Sequence, residues 1–306
     1  MQKLDKDTGK PVAQGTASLE GAVFEVKYFD NTDEKTDGTP KKVWYFETDE
    51  RGKFDATREG YLVNNDTYKS DELYHNNKSK VIYPLGTYLI KEVQAPEKYQ
   101  LSGTMNFVNQ TNKVDVKKGL ALVIAQNEKG EAYYKTGDVP IEVENLMLDI
   151  YEKVYKGNIQ IVKLDDDEKT PLDGVEFKLV GDDGTVIEDK TNEDGKLSFT
   201  NLIPQHYILT ETKTVEGHQL LKDPVDITVP LEFTADEAKK QKLDTSKAVF
   251  DEATQTWCFY SQTCQITNTV EFEMPFTGGS SIPYIPMVIA FILIGTGILA
   301  FRMKRK

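Results

Sequence analysis

Three polar side chains fall where apolar ones are expected. In NIQIVKL (158–164), Lys163 shares a face with Ile159 and Ile161. In YILTE (207–211), Glu211 shares a face with Tyr207 and Leu209, and in QITNTV (265–270), Asn268 shares one with Ile266 and Val270. Successive side chains of a strand point to opposite faces, so a Lys, a Glu and an Asn all project into an apolar interior. Each is costly there without a partner. Burial lowers the pKa of a lysine and raises that of a glutamate. A neutral amine is a nucleophile, and a protonated glutamate can polarise an amide carbonyl and shuttle protons. Attack of Lys163 on the Asn268 amide, with loss of ammonia, would give an isopeptide bond. The plainer alternative is a buried Lys–Glu ion pair beside an uninvolved Asn.

The constellation occurs twice, which favours the reactive reading. In the first half of the chain, Glu92 follows Tyr88 and Ile90, and Asn145 follows Ile141 and Val143. Lys3 stands where the matching lysine belongs, with two residues before it.

The elements that must position these groups repeat in the same order. KLDKDTGKPV from Lys3 pairs with KLDDDEKTPL from Lys163, and LEGAVFEV from Leu19 with LDGVEFKL from Leu172. TDERGKF from Thr48 pairs with TNEDGKL from Thr191, and YLIKEVQAPEKYQL from Tyr88 with YILTETKTVEGHQL from Tyr207. Two copies are too few for a solenoid, so they read as tandem domains over 1–155 and 156–272, split near Tyr155–Gly157. Period-two alternation punctuated by turn signals (DDG, EDG, EKG) predicts an antiparallel β-sandwich for each. The fold class expected is all-β, two tandem sandwiches followed by one C-terminal membrane helix. Domain 1 carries an insertion at about 55–80, polar and aromatic, expected as a surface excursion. In domain 2, Thr234 and Glu237 frame a capping box that predicts a short helix.

The C-terminal 273–306 is different in kind. Ile282 to Phe301 holds no charged side chain and is long enough, as a helix, to cross a bilayer. RMKRK follows, and basic residues at the end of a span stay on the cytoplasmic side. The C-terminus is therefore expected inside and everything before residue 280 outside. Before that tail the chain holds 33 basic against 50 acidic residues, a balance of −17. Such a surface suits an extracellular domain and repels nucleic acid. An exported chain should begin with a signal peptide, yet MQKLDKDTGK has no apolar run. The expectation is that this sequence is the C-terminal end of something longer, or that its start is misassigned.

Together these features resemble the collagen-binding-protein B-type, or SpaA-like, domains of Gram-positive surface proteins and pilins, which are Ig-like or prealbumin-like sandwiches. The box GTYLIKEVQAPEKY carries the closest resemblance, and Glu92 matches the family's catalytic acid. QHYILTETKTVEGHQL is a looser copy, with Thr214 and Val215 in place of Ala-Pro. In the family the first-strand lysine bonds the last-strand asparagine, which implies the pairs Lys163–Asn268 and Lys3–Asn145, with Glu211 and Glu92 as acids. Met274-Pro275-Phe276-Thr277-Gly278 resembles a sortase sorting signal of the Leu-Pro-x-Thr-Gly kind. The resemblance implies cleavage between Thr277 and Gly278 and transfer of the threonine carbonyl to peptidoglycan or another pilin subunit. Met274 departs from the usual leucine and leaves the sortase class open.

Other candidates are weaker. Cys258 and Cys264 would face each other if FYSQT turned a hairpin, and export permits a disulfide. His75, His206 and His218 are scattered, and no metal or cofactor is expected. No nucleophile elbow, phosphate loop or zinc-protease motif is present, so the only chemistry expected is single-turnover self-crosslinking. The leading expectation is a wall-anchored structural protein, a stalk or minor pilin, held in the membrane before sorting. The alternative is an adhesin whose insertion contacts a host matrix protein or glycan. A shaft-forming pilin is disfavoured because IYPLG has leucine where a pilin-type Tyr-Pro-Lys would have lysine.

Overall fold

The computed structural model describes residues 1–107, 113–137, 139–141, 147–270, 291–294 and 297–300. The chain divides into two compact units. Unit 1 is Met1–Tyr155 with Glu252–Thr254, and unit 2 is Lys156–Asp251 with Gln255–Lys306.

Unit 1 contains strands β1 (Gln2–Asp5), β2 (Val23–Phe29), β3 (Lys42–Glu47), β4 (Tyr74–His75), β5 (Val81–Ile82) and β6 (Gly86–Gln94). They are followed by β7 (Thr104–Phe107), β8 (Val114–Asp115), β9 (Leu120–Gln126), β10 (Ala132–Thr136), β11 (Val139–Ile141) and β12 (Leu148–Glu152). One sheet has the order β1-β12-β7-β8 and the other β11-β10-β9-β6-β2-β3. Phe24, Val26, Ile90 and Leu122 of the larger sheet share one core with Met105, Phe107, Leu148 and Ile150 of the smaller, as in a β-sandwich.

The insertion is not purely a surface excursion. It forms the small hairpin β4–β5, and its Tyr74 and Tyr83 rings meet Trp44 edge-on at 6.1 and 5.8 Å. Leu73 is buried with them. Aromatic rings carry enough apolar area to draw an otherwise polar loop back onto the core.

Unit 2 contains β13 (Gly157–Leu164), β14 (Glu176–Gly181), β15 (Val186–Lys190), β16 (Lys196–Leu202), β17 (Gln205–Lys213) and β18 (Val225–Val229). Then come β19 (Leu231–Thr234), helix α1 (Ala235–Lys240), β20 (Val249–Asp251), β21 (Thr256–Phe259), β22 (Ser261–Thr267), β23 (Phe291–Ile294) and β24 (Gly297–Ala300). The sheets run β16-β13-β22-β23-β24 and β15-β14-β17-β18, with a third, small sheet β19-β21-β20. Burial alternates strictly along β13 and β18, and nearly so along β17 and β22, which is the signature of strands with one face on a core. The capping box is present: Glu237 N–H donates to Thr234 Oγ1 at 3.3 Å, and Thr234 N–H to Glu237 Oε2 at 2.9 Å.

The first and last strands of each copy lie side by side and parallel, β1 with β12 and β13 with β22. The repeated sequence segments also repeat their contacts. Thr48 Oγ1 donates to Leu19 O and accepts from Ala22 N–H, while Thr191 Oγ1 donates to Leu172 O and accepts from Val175 N–H.

The expected helix over 282–301 is described at two places, and both are extended. Phe291–Ile294 and Gly297–Ala300 pair as a hairpin, and the first of them pairs with Thr263–Gln265 of β22. Among the described residues no helix is long and apolar enough to cross a membrane. A backbone can satisfy its hydrogen bonds on itself or on a sheet edge. Here the β22 edge takes them, and Gly297 opens the returning strand.

Candidate functional site

In unit 2 the three predicted residues meet. Lys163 ends the buried stripe of β13 after Ile159 and Ile161, and all three are fully buried. Gly195 holds that strand in place. It sits at φ +68°, and a side chain there would come within 2.4 Å of the Lys163 carbonyl. Lys163 N–H donates to Gly195 O at 2.7 Å. Glu211 lies two residues beyond Leu209 on the buried face of β17. Asn268 follows the end of β22, and its N–H donates to Leu164 O at 3.1 Å. Val270, expected on the same inner face, is instead half exposed.

The contacts are closed to solvent. Asn268 Nδ2 donates to Glu211 Oε1 at 2.5 Å and lies 2.7 Å from Thr214 Oγ1. Glu211 Oε2 accepts from Leu221 N–H at 3.2 Å and stands 3.8 Å from Lys163 Nζ. Lys163 Nζ and Asn268 Oδ1 are both buried without a hydrogen-bond partner. Burial pushes the Lys163 amine down to about 8, opposed by the charges of Glu211 and Asp165. An unpartnered amine, a carboxyl group and an amide thus share one water-excluded space. Thr214 is the member that sequence reading did not assign. Its only signal was the departure from Ala-Pro after the acid.

Unit 1 builds the same place from a different set. Lys3 and Glu92 are buried, and Lys3 Nζ donates to Glu92 Oε1 at 2.7 Å. Asn145 lies outside the described residues. Strand register gives its expected position to another residue. Lys3 is opposite Ile150, as Lys163 is opposite Ile266. Two residues further on stand Glu152 and Asn268, respectively. Glu152 is fully buried, and its Oε2 is 2.5 Å from Lys3 Nζ. The alternating segment around Asn145 begins in β11, whose partner is β10, at the edge of the other sheet. Ala95 stands in the copy where Thr214 stands in unit 2. Burial first, and then the neighbouring Glu152 charge, raise the Glu92 carboxyl well above the ordinary carboxylate range, against the pull of Lys3.

The cysteine pair does not form. No disulfide joins Cys258 and Cys264, and both are buried. FYSQT is not a hairpin, because β21 belongs to the small third sheet and β22 to the five-stranded one. Burial pushes the Cys264 thiol up to about 12. Among the described residues no group of His, Cys, Asp or Glu could hold a metal ion. Met274–Gly278 lie outside the described residues.

Several solved structures are similar at low identity. The C-terminal fragment of the pilus adhesin SpaC from Lactobacillus rhamnosus GG matches at 16% identity and a TM-score of 0.41, over 90% of this chain and 97% of that one. GBS52, the minor pilin of Streptococcus agalactiae, matches at 17% and 0.29, over 88% and 91%. The Bacillus anthracis TIE protein matches at 20% and 0.37 over 74% of this chain, which spans 30% of that protein's length. No curated protein sequence matches. Residues 157–245, which carry Lys163 and Glu211, match the SpaA family, described as a prealbumin-like fold domain.

Proposed function

We propose that the chain is a structural protein of the Gram-positive cell surface whose unit 2 closes an amide between Lys163 Nζ and Asn268 Cγ. The observation that carries this reading is the buried trio itself: an amine without a hydrogen-bond partner and an amide against a carboxyl group, all closed to solvent. The neutral amine attacks Cγ. Glu211 takes a proton from the attacking nitrogen and gives one to Nδ2, which already faces it. The C–N bond breaks, ammonia leaves and the amide remains, so one ammonia is lost and nothing else is consumed. Half a turn of the Asn268 amide presents Oδ1 to the same two groups, so Glu211 can serve both the carbonyl oxygen during attack and the nitrogen that leaves. Fixed neighbours in a dry site replace the concentration that a bimolecular aminolysis would need.

Two further parts of the reading follow the sequence alone. Sortase cleaves between Thr277 and Gly278 and joins the chain to peptidoglycan or to another pilin subunit. Before that, the apolar segment 282–301 holds it in the membrane. In lipid no sheet edge is offered, so this segment must close its hydrogen bonds on itself as a helix. The Thr277→Ala variant then stays extractable by detergent, and wild-type extraction to the same degree would refute anchoring.

For the crosslink, the intact mass of the full chain should lack one ammonia for unit 2, mapped to the peptides holding Lys163 and Asn268. Glu211→Gln, folded by circular dichroism, should restore the sequence mass there. An unmodified wild-type unit 2 leaves a buried ion pair and ends this reading.

The adhesin alternative has one concrete locus. Unit 1 holds a cavity of about 530 Å³ lined by Phe54, Ala56, Tyr61, Tyr83, Tyr88 and Tyr134 among others. The Tyr83 and Tyr88 hydroxyls are spent on Ala56 O and Pro84 O, so the lining suits an apolar side chain of a matrix protein better than a sugar. Retention of purified protein on a matrix-protein array tests it.

A further inference from the structure

We propose that unit 1 is also covalently closed, by an amide between Lys3 Nζ and Glu152 Cδ formed with loss of water. This rests on the amide-closing chemistry proposed for unit 2, transferred to a different acceptor. Three observations carry it. Register places Glu152 at the position of Asn268, two residues beyond the partner of the lysine in a parallel strand pair. Lys3, Glu92 and Glu152 have side chains wholly closed to solvent. Finally, the amine contacts the two carboxyl groups differently. It donates a well-formed hydrogen bond to Glu92 Oε1, whereas its 2.5 Å approach to Glu152 Oε2 falls outside hydrogen-bond geometry, and both Glu152 oxygens lack a hydrogen-bond partner. Glu92 is thus placed as proton relay and Glu152 as acceptor.

The step balances without any co-reactant. The lysine ammonium passes one proton to the Glu152 carboxylate, giving a neutral amine beside a neutral acid. The amine nitrogen attacks Cδ. Glu92 relays the second amine proton to the departing hydroxyl, which leaves as water. One ammonium and one carboxylate become one amide and one water. Before the step, a buried lysine faces two carboxyl groups, an arrangement that is expensive to keep dry. Afterwards no formal charge remains on the bonded pair, and Glu92 is left as a neutral acid. The surroundings favour that state, since burial raises the Glu92 carboxyl well above the ordinary carboxylate range.

The test is peptide mapping of the full chain. A blocked Lys3 resists trypsin, so Met1–Lys6 should appear joined to Thr136–Lys153, with one water missing. The second peptide also contains Asn145. Loss of ammonia there would mean that Asn145 is the acceptor and would overturn this proposal. Uncrosslinked Met1–Lys3 and Thr136–Lys153 would overturn it as well, leaving an ionic triad. Glu152→Gln keeps the shape of the side chain but leaves ammonia as the leaving group. Its closed product should have the same mass as the wild-type product, while Glu152→Ala should show free Lys3. Glu92→Gln should leave Lys3 open in a folded chain, and a closed bond in that variant would refute the relay. Loss of ammonia at Lys163–Asn268 in the same digest reports unit 2 separately. If unit 2 is closed and unit 1 open, this inference alone fails. If both are open, the reading of unit 2 fails with it.

Discussion

Lys163→Met is the perturbation that separates a covalent tether from a well-packed sandwich. Tension on the chain enters unit 2 at Gly157 and travels along β13. It leaves past Asn268, just beyond β22, and these strands are parallel neighbours. Without an amide the load shears that pair, and once they part the whole intervening chain is released. With it, the load crosses from Lys163 to Asn268, and Leu164–Thr267 lies off the path. Roughly 105 residues at about 3.4 Å each amount to about 350 Å of contour length. Methionine keeps the length and apolar body of the side chain and leaves no buried ammonium behind. Replacing a buried ion by an apolar group of similar size is often neutral or stabilising, so the variant should fold. In single-molecule pulling of the full chain, Lys163→Met should show an unfolding step of about 350 Å that the wild type lacks. The reasoning is refuted if the wild type shows the same step. It is also refuted if Lys163→Met lacks the step while its mass shows no crosslink.

Three further outcomes are expected. A closed loop of about 100 residues is worth about 4.7 kcal/mol of denatured-state entropy, so Lys163→Met should lower the unit 2 calorimetric transition by roughly 20 °C; a shift of a few degrees would mean that no loop is closed. In Asn268→Ala the amine stays titratable, with a folded pKa lowered to about 8 from its ordinary 10.5. The unfolded state then binds more protons between those values, so stability should rise from pH 8 to 10.5 and stay flat below; denaturant melts showing a fall across that window would contradict the burial argument. Cys264 should resist alkylation in the folded chain at pH 8 and react promptly in denaturant without reductant, because its thiol is pushed up to about 12; rapid labelling of the native chain would show that the site opens.

Much of this protein was legible from local pattern. Period-two alternation marked β13, β17 and β22, and the same alternation exposed Lys163, Glu211 and Glu92 as polar residues on buried faces. That inference needs only the backbone pleat, a property of each strand by itself. The capping box at Thr234 is equally local, because its partners are three residues apart. What the sequence could not decide was which strands become neighbours. Asn145 sits in a segment as regularly alternating as that of Asn268, but this segment starts in the sheet opposite Lys3. The residue across from Lys3 is decided by the parallel pairing of β1 with β12, a contact between the two ends of the domain, and it brings Glu152 to the amine. Thr214 reaches Asn268 for the same reason, through β17 and β22 in facing sheets. Cys258 and Cys264 looked like hairpin partners, yet the chain changes sheets between them. Tyr74 and Tyr83 looked like parts of a surface loop until Trp44 offered a face to pack against. Pattern along a strand tells which side chains point inward. Only the stacking and register of strands far apart in the chain tell which of them meet, because those contacts are made by cooperative burial and leave no periodic mark in the sequence.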